Sequence, residues 1–95
     1  IKLSVGKGNP HPNTTAHHIL WIEVYFLMEG DKFPYQVGRI EFTSHGASTN
    51  GADTSSVYTA PDAELTFGTA KNGTIYAASY CNIHGLWEGE TILKL

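Results

Sequence analysis

Apolar residues recur at every second position through much of this chain. Between His17 and Met28 the even positions Leu20, Ile22, Val24 and Phe26 form an apolar file, with Trp21, Glu23 and Tyr25 on the alternate side. A period of two predicts a long strand whose core face is the even one. Ile1, Leu3 and Val5 alternate with Lys2 and Ser4 in the same way, so the chain opens inside a half-buried strand. Gly6 to Pro12 reads as loop. Glu29-Gly30-Asp31 predicts a turn, and Phe33-Pro34-Tyr35 enters the next strand. There Val37 or Gly38 leads to Ile40 and Phe42, alternating with Arg39 and Glu41, which makes an antiparallel hairpin.

Residues 44–56 are Ser, His, Thr, Gly, Asn, Ala and Asp with almost nothing to bury, and they predict a loop or frayed edge. Order resumes with Ala63, Leu65 and Phe67 alternating with Glu64 and Thr66. Lys71-Asn72-Gly73 predicts a hairpin turn into a strand where Ile75, Ala77 and Ser79 alternate with Tyr76, Ala78 and Tyr80. A last strand is expected over residues 91–95. No helical period, internal repeat or low-complexity segment interrupts this pattern. The prediction is an all-β fold, an immunoglobulin-like antiparallel β-sandwich of about seven strands. Residues 1–95 form one domain with one core, too few for separate catalytic and regulatory units.

Composition narrows the function. Lys plus Arg number 6 against 9 Asp plus Glu, a net charge of −3, which argues against a nucleic-acid or anionic-membrane surface. No apolar run reaches the length of a membrane span, and no signal-peptide pattern opens the chain, so a soluble protein is expected. The single cysteine cannot form an internal disulfide, and a cytoplasmic, reducing setting suits it.

That cysteine is the centre of the candidate chemistry. Cys81 and His84 are three apart where an alternating run ends, and Gly85 permits a turn that brings both side chains to one ion. His11 and His17 are separated by Pro12-Asn13-Thr14-Thr15, a segment that suits a loop bending back on itself. One thiolate and three imidazoles suit zinc, copper or iron far better than magnesium or calcium. His18 is expected on the face opposite His17, and His45 as an ordinary polar residue. Trp21, Tyr80 and Trp87 are expected to pack around the site. A nucleophilic Cys with a His base would need an oxyanion hole that no motif announces. Blue copper usually wants a Met soon after the second His, whereas Met28 is far from it. A structural zinc in a tetrahedron of His11, His17, Cys81 and His84, or an assembly module keeping only the fold, remains open.

Several ordered motifs carry a resemblance. His11-Pro12-Asn13-Thr14-Thr15 with His17-His18-Ile19, Tyr35-Gln36-Val37-Gly38-Arg39, Glu41-Phe42-Thr43, Val57-Tyr58-Thr59 and Ser79 through Glu88 resemble superoxide reductase of the neelaredoxin type, the one-iron relatives of desulfoferrodoxin. The resemblance covers nearly the whole chain. It implies a mononuclear non-haem iron on an immunoglobulin-like sandwich, held by four equatorial histidines and an axial cysteine. Carried over by position, His11, His17 and His84 are equatorial ligands and Cys81 the axial thiolate, with Cys81 and His84 at the catalytic centre. The implied reaction is one-electron reduction of superoxide to hydrogen peroxide, with an outside donor, typically rubredoxin, restoring ferrous iron. A homo-oligomer, dimer or tetramer, is also implied.

The family's fourth histidine lies in an N-terminal Glu-Lys-His sequence that this chain does not contain, and Ile1 standing inside a strand favours truncation. The lysine of that sequence is absent with it; Lys7, near the His11 loop, is the candidate substitute. Ala16 stands where the family often has Glu. A thiolate trans to an open position pushes electron density onto the metal. Backbone N–H groups after Cys81 are therefore predicted to hydrogen-bond the sulfur and temper that donation, favouring peroxide release.

Overall fold

The computed structural model describes residues 2–5 and 12–95. Among them six strands follow in order: β1 (Lys2–Val5), β2 (Ile19–Met28), β3 (Tyr35–Glu41), β4 (Ala63–Thr66), β5 (Gly73–Cys81) and β6 (Gly85–Leu93). Every pairing is antiparallel. One sheet has the order β3-β2-β5-β6, and β1 pairs with β4 in a second. The all-β sandwich expected from the alternation is the fold observed. No helix among the described residues is long and apolar enough to cross a membrane.

The even file of β2 is the heart of the core. Ile22, Val24 and Phe26 are buried, together with Phe42, Ala63 and Ile75, and Leu65 and Phe67 close over them. Each such side chain withdrawn from water contributes roughly 1.5–3 kcal/mol, so this file anchors the two sheets to one another. Val37 and Ile40 both pack on the core although their numbers differ in parity. The cause is a bulge: the β2–β3 register shifts between Val24 and Tyr25, and the extra residue turns the strand by one position.

Two expectations about connection are corrected. The strand at 63–66 is not a hairpin partner of the strand after Gly73; it pairs with β1 on the other sheet, and residues 67–72 carry the chain across. Alternation reveals which face a strand buries, and it is silent on which strand lies beside it. Gly73 accordingly serves a different purpose from the expected turn. A Cβ there would lie 2.6 Å from Phe26 Cζ and would also strike the Leu27 carbonyl oxygen. The last strand begins at Gly85 rather than Thr91 and ends at Leu93, because Leu86 to Glu90 pair residue by residue with β5.

Candidate metal centre

Cys81 is the final residue of β5 and Gly85 the first of β6, and the two are ladder partners. Only Asn82, Ile83 and His84 lie between them. Gly85 has φ of +78°, the left-handed conformation that closes a three-residue hairpin loop and that residues with a Cβ resist. This tight connection folds His84 back over Cys81. The His84 backbone N–H donates to Cys81 Sγ at 3.5 Å, and His84 Nδ1 lies 3.9 Å from the same sulfur. Of the N–H groups after Cys81 expected to bond the sulfur, that of His84 does so, whereas that of Asn82 donates to the His18 carbonyl. Cys81 is 2% exposed, whereas His84 is open to solvent.

The third member arrives from the other end of the chain. The β2–β5 register shifts between Ile19 and Trp21, leaving Ile19 opposite Cys81. Bulges of this kind re-aim side chains beside functional sites. Just before Ile19 the loop is closed by Thr14 and His17, whose backbone groups bond reciprocally at 2.9 and 3.2 Å. Thr14 Oγ1 also accepts from the His17 N–H at 3.1 Å. His17 and His84 then meet edge to face, ring centroids 4.8 Å apart with 86° between planes.

One donor atom each from His17, Cys81 and His84 fits within a mutual separation of 4.8 Å. Donors sharing one ion, with bonds of about 2.0–2.3 Å, stand at most roughly 4.5 Å apart, so small side-chain rotations suffice to close the set. His17 Nε2 is screened from solvent, which suits a nitrogen aimed at an ion rather than at water. A soft sulfur with two imidazoles is a donor set for a transition metal, and the residues present fit the iron expected of them.

Of the four ligands expected from the sequence, the structure brings together His17, Cys81 and His84. His11 and Lys7 lie outside the described residues. His18, as expected, is not in the cluster. The aromatic expectation is corrected in part. Trp87 does approach His84, with centroids 6.5 Å apart, yet it is 60% exposed. Trp21 and Tyr80 stack on each other at 5.7 Å, with the Arg39 guanidinium 4.7 Å above Trp21. Each adjoins a buried residue in its own strand, Trp21 next to Ile22 and Tyr80 next to Cys81, so the alternation of their strands puts them on the outer face.

Sequence reasoning missed the role of residues 44–59, which brace the His17 loop. The Thr15 N–H donates to Asp53 Oδ1 at 2.7 Å and the Asp53 N–H returns a bond to Thr15 Oγ1 at 3.2 Å. Asn13 Nδ2 donates to the Thr59 carbonyl, and His45 Nδ1 meets Asn13 Oδ1 at 3.2 Å. No local signal announces these bonds, which join residues 32, 38 and 46 apart, beyond the reach of the side-chain to backbone turns that Asn and Asp favour.

Comparison with known proteins agrees with this geometry. The Desulfoferrodoxin family model matches residues 1–90. A superoxide reductase of Pyrococcus furiosus is 62% identical over 94 residues, which is 99% of this chain and 76% of the relative. A putative superoxide reductase of Archaeoglobus fulgidus is 61% identical, covering 100% of this chain and 76% of that protein. A crystal structure of superoxide reductase in the oxidized state superposes with a TM-score of 0.91 at 61% identity, covering 98% of this chain and 77% of the other. A match that runs from the first strand through Cys81 and His84 into β6 places this chain in the desulfoferrodoxin family.

Proposed function

We propose that this protein is a superoxide reductase, and that His11, His17, Cys81 and His84 hold a mononuclear non-haem iron at which superoxide is reduced to hydrogen peroxide. The observation that carries this reading is the convergence of His17, Cys81 and His84 from opposite ends of the chain. These residues would hold the iron, and iron so held would provide the one electron that, with two protons, converts superoxide to hydrogen peroxide.

The chain's own residues supply the rest. Cys81 Sγ, deep in the domain, offers a thiolate whose charge raises electron density at the metal. The His84 N–H, 3.5 Å from that sulfur, draws part of the charge back. Exposed His84 leaves one side of the centre open to a small anion, and imidazole side chains bring no negative charge that would repel it.

The further elements of the reading follow from composition and resemblance. Residues 1–95 act as one domain, and Cys81 and His84 stand at the catalytic centre. An external one-electron carrier such as rubredoxin returns the electron, the working protein is a dimer or tetramer, and its compartment is the cytoplasm. The test is metal analysis after anaerobic purification, followed by superoxide consumption with a reduced donor. Iron, with peroxide formed and donor oxidised in equal amounts, is the expected result. Zinc or copper in the site, or superoxide loss independent of the donor, would overturn it.

A further inference from the structure

Asn82 joins the two halves of the metal centre. Its backbone N–H donates to the His18 carbonyl at 3.1 Å. Its Oδ1 accepts from the His18 N–H at 2.8 Å, and its Nδ2 donates to the Ala16 carbonyl at 2.9 Å. The side-chain amide thus uses both ends on the peptide groups flanking His17. His17's own peptide is engaged by Thr14. The metal-facing histidine is therefore fixed by its loop on one side and, on the other, by the hairpin that carries Cys81.

These bonds span 64 and 66 residues of sequence. The pair Ile19 and Cys81 is the last of the β2–β5 ladder, which ends before it reaches His17. Asn82 extends the connection past that end. A side chain that both accepts and donates at this reach is required; a carboxylate accepts only, and alanine does neither.

We propose that Asn82 is a positioning residue, holding His17 and Cys81 at the separation one metal ion needs before the ion arrives. This rests on the ligand reading above. Donors set in place in advance bind more tightly, because less order remains to be imposed on binding. Loss of an outer partner of a metal ligand typically lowers affinity about 10–100-fold.

The test is an anaerobic titration of the metal-free protein with Co2+, following the thiolate-to-cobalt charge-transfer band. Asn82→Ala is expected to weaken Co2+ binding about 10–100-fold and to shift the band. Asn82→Asp, which can still accept from the His18 N–H, should fall between the alanine variant and the parent. Asn72→Ala is the control: it removes a side-chain bond of the same kind, Oδ1 accepting from the Leu95 N–H at 2.7 Å, far from the cluster. It should leave affinity and band unchanged. Wild-type affinity and band in Asn82→Ala would overturn the proposal, and if that variant does not fold, the same result in Asn82→Asp would do so. Failure of the ligand reading looks different: the parent shows no thiolate band, or Cys81→Ser retains it.

Discussion

His18 and His45 stack face to face, with ring centroids 3.6 Å apart and planes within 9° of parallel. His18 Nδ1 sits 2.9 Å from the Thr14 carbonyl, which can only accept, so that nitrogen carries the proton. Asn13 Nδ2 donates to Thr59, so its Oδ1 faces His45 Nδ1, and that nitrogen is protonated as well. The second histidine of the His17-His18 pair thus ties the ligand loop to the 44–59 excursion.

This stack carries a pH dependence. Burial pushes the His45 pKa below its ordinary value of 6.5, the neighbouring His18 lowers it further, and a backbone hydrogen bond with Phe42 opposes both. The unfolded chain therefore takes up the proton more readily. His45 leaves stability untouched above about pH 6.5, and stability falls as pH drops from there through the depressed folded value. Thermal melts of the metal-free protein across that window should show a shallower fall for His45→Phe, which keeps a ring but cannot titrate. Parallel curves for parent and variant would refute the assignment.

The ligand assignment predicts opposite outcomes for neighbouring positions. Cys81→Ser should abolish the thiolate-to-iron absorption and nearly all superoxide reduction. His17→Gln should lower metal affinity by at least about 10-fold, whereas His18→Gln should leave metal content nearly intact. Iron content and the visible spectrum of the three variants, purified alike, decide the matter. A greater metal loss in the His18 variant than in the His17 variant would mean that the wrong histidine of the pair had been named.

Local pattern accounts for much of this architecture. The even file of β2 shows in the sequence because one strand buries one face, and Cys81 with His84 shows because three residues and a glycine make a hairpin. The pairing of β4 with β1 does not show, since Ala63 and Leu65 would alternate equally well beside any apolar strand. The bracing of Thr15 by Asp53 links residues 38 apart without any period. Polar residues that bury little therefore read as a loose loop, although here they brace the segment that carries His17.

Gly73 gives a prediction at the pole remote from the metal. Because a Cβ would press on the Phe26 ring and on backbone at Leu27, Gly73→Ala forces either strand separation or a shift of a buried aromatic. Overpacking of this kind costs about 1–3 kcal/mol. Urea denaturation should show a lower midpoint with an unchanged slope, while the Co2+ spectrum of the folded protein stays as it was. An alanine variant as stable as the parent would show that the ring moves aside freely.

Asp53 combines two requirements that a substitution series can separate. Its φ of +58° lies in the left-handed region, which asparagine and aspartate tolerate better than other residues with a Cβ. Its Oδ1 also accepts from the Thr15 N–H at 2.7 Å, two residues before His17. Asp53→Asn keeps the conformation and an acceptor, and should stay within about 0.5 kcal/mol of the parent. Asp53→Gly relieves the backbone and loses the acceptor, at about 1 kcal/mol. Asp53→Ala loses the acceptor and retains the strain, so it should be the least stable of the three, by roughly 2 kcal/mol against the parent. Because the lost bond belongs to the loop carrying His17, Co2+ affinity should fall in the glycine and alanine variants and hold in the asparagine one. Equal affinity across all three would mean that the loop keeps its shape without Asp53.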